Sequence, residues 1–283
     1  MRNVCPVRAA LLACLLAATI HGQPAAPPPE PELLNSTLWA QTSVEHDAAY
    51  LQAYRLARIM LDRARVAQSW SAALEQTSGF ERLPPAVILD VDETILDNSP
   101  EEAARVTAGS PANLFEDWAR QERATALPGA LEFAQYAQSQ GVARFYVTNR
   151  TADLKPATRR TLAQLGFPLN PKVDPIYCLG EKPEWGADKG SRREVIAAKY
   201  RILLLIGDDL GDFISGARTG PKERRRLVAT HADYWGERWI VLPNPMYGSW
   251  ETSLYGNDNK LAHEDRLARK REQLRPMAPL NRK

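Results

Sequence analysis

Short apolar runs that each end in polar or acidic residues, with helical stretches between them, constrain this chain more than any other feature. Ala86-Val87-Ile88-Leu89 ends at Asp90, Arg144-Phe145-Tyr146-Val147 ends at Thr148-Asn149-Arg150, and Ile202 to Ile206 ends at Gly207-Asp208-Asp209. Runs of four or five apolar residues have the length of strands buried on both faces. Helical spacing covers Ala130 to Gln140, Pro156 to Leu165 and Ser191 to Lys199. Strands alternating with helices predict an α/β fold with a doubly wound, mainly parallel sheet, which Trp239 to Leu242 extends. In such sheets ligands bind beyond the carboxyl ends of the strands, where the polar clusters fall.

Before the first strand, Ala49, Tyr50, Ala53, Tyr54, Ala57, Met60, Leu61 and Ala64 recur at three- and four-residue steps. That spacing predicts a helix packed on the main domain, beginning near Asn35-Ser36-Thr37. Five prolines between Pro24 and Pro31 make a stiff extended spacer. The expected organisation is a leader over 1–22, a spacer over 23–34, a helical extension over 35–82 and a core over 83–258. A small helical insert is expected within that core at about 99–128. A charged helix and tail over 259–283 read as a solvated surface. There is no internal repeat.

Arg2 and Arg8 precede an apolar run from Ala9 to Ala18, too short to span a bilayer. A positive start, a short apolar stretch and small residues near Gly22-Gln23 read as a secretory signal, which predicts export to the periplasm. Cys14 after Leu-Leu-Ala loosely resembles a lipoprotein processing site, so outer-membrane lipid anchoring is the less favoured alternative. Cleavage near Gly22 leaves Cys178 as the single cysteine, and no intramolecular disulfide can form.

The 283 residues are 44% hydrophobic and 25% charged, an ordinary globular balance that excludes wholesale disorder and a polytopic membrane protein. Net charge is +2, and removing Arg2 and Arg8 leaves 34 basic against 34 acidic side chains. A protein that wraps a nucleic-acid polymer carries a basic excess, which is missing here.

Asp90-Val91-Asp92-Glu93-Thr94 is the most informative segment. Carboxylates two residues apart at a strand end can face the same side, and like charges that close need a cation or a shared proton. Asp208, Asp209 and Asp212 end another strand and can supply further oxygen ligands. Hard oxygen donors without nearby His or Cys favour Mg2+ over zinc.

The chain resembles the haloacid dehalogenase (HAD) superfamily of aspartate-nucleophile phosphotransferases in four ordered motifs. These are Asp90-x-Asp92-x-Thr94, Thr148, Lys189, and Gly207-Asp208-Asp209-x-x-Asp212. Within it, the segments Ile88 to Ser99, Phe145 to Arg150 and Leu242 to Glu251 resemble the class C bacterial acid phosphatases, the lipoprotein e family. That resemblance runs from about Leu34 to Trp250. It implies a HAD-like core in which Asp90 is the nucleophile and Asp92 the acid and then the base. It also implies Mg2+ held by Asp90, Asp208 and the Asp92 carbonyl. Thr148, Asn149 and Lys189 would hold the phosphoryl group, Thr94 would brace the Asp90 loop, and Asp212 would orient metal-bound water. The family usually has Asn where this chain has Asp209, which adds an acid near the metal.

By the same resemblance Phe115 and Tyr247 sandwich a nucleobase, with ordinary core packing as the competing reading; Trp118 reads as structural. The resemblance therefore implies a Mg2+-dependent acid phosphatase acting on small phosphomonoesters, nucleoside 5′-monophosphates above all. A phosphotransferase using the same site and a non-catalytic binding protein on this fold remain alternatives. No transmembrane span is expected, and a homodimer is left open.

Overall fold

The computed structural model describes Met1 and residues 30–277; the expected leader and most of the proline-rich spacer lie outside the described residues. Two helices come first, α1 (Leu34–Thr42) and α2 (Val44–Val66). Ser43 separates them because its backbone is extended and its hydroxyl accepts from the backbone N–H groups of Glu45 and His46, capping α2. Helix α2 buries Tyr50, Tyr54, Ala57, Met60, Leu61 and Ala64, the stripe expected from the spacing.

A parallel five-stranded sheet follows, built from β1 (Pro85–Leu89), β4 (Ala143–Thr151), β5 (Ile176–Leu179), β6 (Arg201–Gly207) and β7 (Trp239–Val241). Its spatial order is β5-β4-β1-β6-β7, so β1 is central and the chain winds outward to either side of it. Alternate β1 residues serve opposite layers. Val87 and Leu89 pack with Tyr54, Leu61 and Phe133, whereas Ala86 and Ile88 pack with Phe145, Ile196, Phe213 and Trp239. This is the doubly wound arrangement, with a crevice at the point where strand order reverses beside β1.

Strand β5 went unread in the sequence because its four residues alternate buried and half-buried at the sheet edge, just after three prolines. Helices α5 (Ala130–Ser139), α6 (Lys155–Gln164), α7 (Gly190–Ala197) and α8 (Pro221–Thr230) fill the connections. Between β1 and α5 a two-stranded antiparallel pair, β2 (Leu96–Asp97) and β3 (Thr125–Ala126), closes the base of a small excursion. That excursion carries α3 (Ser99–Ala108) and α4 (Leu114–Gln121). Beyond β7, the short α9 (Ser249–Thr252) and the charged α10 (His263–Glu272) return toward the carboxyl ends of the strands. Helix α10 buries none of its residues, yet His263, Arg266 and Lys270 line the cleft described next rather than facing only open solvent. No described helix is long and apolar enough to cross a membrane.

Candidate active site

A cavity of about 500 Å³ opens over the carboxyl end of β1. Asp90, Asp92, Asn149, Lys189, Asp208, Asp209 and Asp212 line its floor, and Phe115 and Tyr247 line its walls. The floor is set by the central strand and its two neighbours. Leu89 pairs with Tyr146 of β4 and with Ile206 of β6, and Asp90 N–H donates to the Ile206 carbonyl at 2.9 Å. The polar residues after each strand are thereby brought side by side.

Lys189 starts α7 and is 5% exposed. Its Nζ donates to Asp90 Oδ1 and to Asp212 Oδ1. Burial raises the Asp90 carboxyl to about 7 despite the lysine, with the Asp212 and Asp92 charges adding to the rise. Burial likewise pushes Asp208 well up and Asp212 up, Asp208 also feeling Asp90 and Asp212. Oxygen atoms of Asp90, Asp208 and Asp212 all lie within 4.8 Å of one another. Buried Asp90 and Asp212 share the Lys189 ammonium and half-buried Asp208 lies beside them, so the cluster is short of positive charge. A divalent cation fits both this deficit and the all-oxygen donor set.

Asp208 and Asp212 are also held from behind. Asp208 accepts from Thr94 Oγ1 at 3.0 Å and from Asn244 Nδ2 at 2.9 Å. Thr94 therefore braces the β6 loop against the Asp90 loop. Asp212 Oδ2 accepts from Asp209 N–H at 2.9 Å, and its side chain crosses Gly207 so closely that a Cβ there would lie 2.2 Å from Oδ2. Glycine at 207 is required by that approach. Asp209 turns away from the other acids, toward Gly211 and Ser249, and is not one of the three clustered carboxylates.

The Asp90 loop is also clamped from α2. Tyr50 donates to the Glu93 carbonyl and Tyr54 to the Thr94 carbonyl, both at 2.6 Å. Glu93 itself has a φ of 53°, in the left-handed region, and is buried. Its carboxylate accepts from the backbone N–H and the side-chain amide of Asn98, and burial drives its carboxyl well up. A strained loop with several buried partners is a rigid platform for the acids it carries.

Thr148 is fully buried, and its hydroxyl donates to Asp92 Oδ2 at 3.3 Å. Asn149 donates to the Ala187 carbonyl and accepts from Arg192 Nη2, which ties the end of β4 to the segment before Lys189. Sequence reasoning passed over Arg150, Arg192 and Asn98. Arg192 donates to the Thr148 carbonyl at 2.5 Å, and Arg150 reaches Asp92. Asn98 and Arg150 lie in the quoted segments, but nothing in a single sequence marks an arginine at the end of a strand as buried.

Residues 30–250 match the family model described as HAD superfamily, subfamily IIIB (acid phosphatase). A class C acid phosphatase from Bacillus anthracis is similar in structure, with a TM-score of 0.76, 32% identity, and coverage of 87% of this chain and 98% of that one. The structure of that phosphatase with tungstate bound gives a TM-score of 0.77 at the same identity and coverage. A stem 28 kDa glycoprotein from Glycine max is 26% identical over 170 residues, 56% of this chain and 58% of its own length. The chain thus spans somewhat over half of that curated relative. With the matched region covering the sheet, the clustered acids and Lys189, the chain belongs to the HAD superfamily, subfamily IIIB, the acid phosphatases.

Proposed function

We propose that this chain is an exported, Mg2+-dependent acid phosphatase that hydrolyses phosphomonoesters, nucleoside 5′-monophosphates among them, through an aspartyl-phosphate on Asp90. The observation that carries the reading is Asp90 itself. It is a buried carboxylate at the end of the central strand, held by Lys189 on the floor of the open cleft.

Lys189 fixes one oxygen of Asp90, and the other can attack phosphorus in line as the bond to the leaving oxygen breaks. Asp92 lines the same floor and starts this step protonated; its proton passes to the leaving oxygen. In the second half the Asp92 carboxylate takes a proton from water, which attacks phosphorus and releases Asp90 with inorganic phosphate. Asp90, Asp208 and the Asp92 carbonyl would hold Mg2+, with Asp212 beside them. The ion would neutralise charge on the phosphoryl oxygens. Lys189 does the same from the protein side with Asn149 beside it on the cleft lining, whereas Thr148, expected to hold the phosphoryl group, is buried off that lining and reaches the site through Asp92. Phe115 and Tyr247, both on the cleft wall, offer faces for a base. The tungstate taken up by the Bacillus anthracis enzyme is a tetrahedral oxyanion, which accords with a phosphoryl site here.

The deciding experiment is release of inorganic phosphate from a panel of phosphomonoesters, with Mg2+ and with excess chelator. Hydrolysis led by nucleoside monophosphates and lost on chelation is expected. Full activity in chelator would overturn the metal assignment, and indifference to the base would leave a general phosphatase.

A further inference from the structure

The two oxygens of Asp92 are held unequally. Oδ1 accepts from Asn98 Nδ2 at 2.9 Å and from Arg150 Nε at 2.9 Å, with Arg150 Nη2 at 2.8 Å. Oδ2 meets one hydroxyl among the described residues, Thr148 Oγ1, at 3.3 Å. The donors on Oδ1 are themselves immobilised. Arg150 is 2% exposed, its Nη1 donates to Thr158 Oγ1 at 3.2 Å, and its Nη2 also lies 3.4 Å from Asn98 Oδ1. Asn98 is fully buried, and Trp118 Nε1 donates to its Oδ1 at 2.9 Å. Its amide orientation is set by that contact, so Nδ2 must face Asp92. Trp118 is thus part of this support and is not among the residues that line the cleft.

Two N–H groups, Asn98 Nδ2 and Arg150 Nε, take up both lone pairs of Oδ1, and the charge on Arg150 Nη2 lies 2.8 Å away. A proton on Asp92 then has one place to sit. We propose that Arg150 and Asn98 are positioning residues that hold Asp92 through Oδ1 and reserve Oδ2 for proton exchange. The proposal rests on the phosphatase reading and adds which oxygen acts and what aims it. As the phosphorus–oxygen bond breaks, the Oδ2–H bond breaks and its proton joins the leaving oxygen. When water attacks the aspartyl-phosphate, a proton from that water returns to Oδ2. A planar arginine suits this task where lysine does not, because Nε aims at Oδ1 while Nη1 and Nη2 donate to Thr158 and Asn98 from the same fixed plane.

The test uses substrates that differ in their need for an acid. An alkyl phosphate such as glycerol phosphate needs its leaving oxygen protonated, whereas dinitrophenyl phosphate releases a stable anion unaided. kcat/KM is the proper readout, because it covers formation of the aspartyl-phosphate and not the shared hydrolysis that follows. Arg150→Gln should lower kcat/KM for glycerol phosphate about 100-fold, the lower end of what a positioned acid contributes. Dinitrophenyl phosphate should lose no more than about 3-fold, because its departure does not draw on that acid. Asn98→Ala should show the same split to a smaller degree, and it decides the matter if Arg150→Gln does not fold. Equal losses on both substrates in a folded variant would overturn the proposal and make these residues supports of the fold or the phosphate site. If the wild-type chain hydrolyses neither substrate, the phosphatase reading itself falls, an outcome distinct from equal losses in the variants.

Discussion

Asp209 grips Ser249 with both carboxylate oxygens: Oδ2 accepts from the Ser249 backbone N–H and Oδ1 from its hydroxyl, each at 2.6 Å. Oδ1 also caps the turn at Gly211. The loop after β6 is thereby tied to the segment that carries Tyr247. Gly248 between them has a φ of 147°, and a Cβ there would come within 3.2 Å of Asp209 Oδ2. An asparagine has one accepting oxygen and an NH2 group in place of the other, so it could not accept from the Ser249 N–H, the Ser249 hydroxyl and the Gly211 N–H as Asp209 does. Asp209 is therefore a tether for the cleft wall.

Asp209→Ala should consequently loosen the wall more than the floor. Losing hydrogen bonds to a charged acceptor should cost about 1.5–3 kcal/mol of stability. KM for a nucleoside monophosphate should rise further than KM for glycerol phosphate. Thermal melts and paired steady-state kinetics check both expectations.

Asp90→Asn should abolish turnover, a loss of at least about 1000-fold, because the amide is a poor nucleophile. Circular dichroism should show an intact fold, since the variant removes charge from an overcrowded acid cluster. Beryllium fluoride, which mimics an acyl-phosphate, should inhibit the native chain and fail to bind the variant in calorimetry.

Tyr247→Ala should lower kcat/KM for nucleoside monophosphates by about 5- to 150-fold, the equivalent of about 1–3 kcal/mol of base stacking. Glycerol phosphate should be nearly unaffected, because Asp90 and Lys189 are untouched. Parallel progress curves on the two substrates separate stacking from a general loss.

The acid cluster also sets a pH dependence for metal-free protein. Asp90, raised by burial to about 7 in the folded chain, holds a proton that the unfolded chain releases near its ordinary value. Asp208 and Asp212 are shifted the same way by burial. The folded state binds more protons than the unfolded state between about pH 4 and 7, so stability should fall as pH rises through that window. Mg2+ should reverse the trend, raising Tm more at pH 7 than at pH 4.5, because it competes with those protons. Melting curves with and without chelator measure the difference directly.

The acids were legible in the sequence because each follows a run of apolar residues that had to be a buried strand. Asp90 and Asp208 could therefore meet at strand ends, and the pairing of β1 with β6 makes those ends neighbours. Tyr50 and Tyr54 could be read as buried by their spacing, but not as donors to the Glu93 and Thr94 carbonyls, a pairing that depends on how α2 lies across the sheet. Arg150 was hidden for a related reason: it is buried by a partner across the strand boundary, Asp92, not by its own neighbours in sequence. Ser43 escaped notice as a break because a capping serine differs from an ordinary helical serine only in its backbone angles. The match of Asp209 to Ser249 likewise joins residues 40 apart.

The clamp from α2 onto the Asp90 loop means that catalytic competence reports on chain assembly. The two tyrosines reach carbonyls 40 and 43 residues downstream, across the irregular stretch that joins α2 to β1. A protease cut in that stretch, or a chain begun at the first strand, would leave every acid in place while releasing the two hydroxyls that pin their loop. Turnover would then fail before the sheet melts. Helix α2, which precedes every strand of the sheet in the chain, would thus make turnover a report on whether the polypeptide has finished folding.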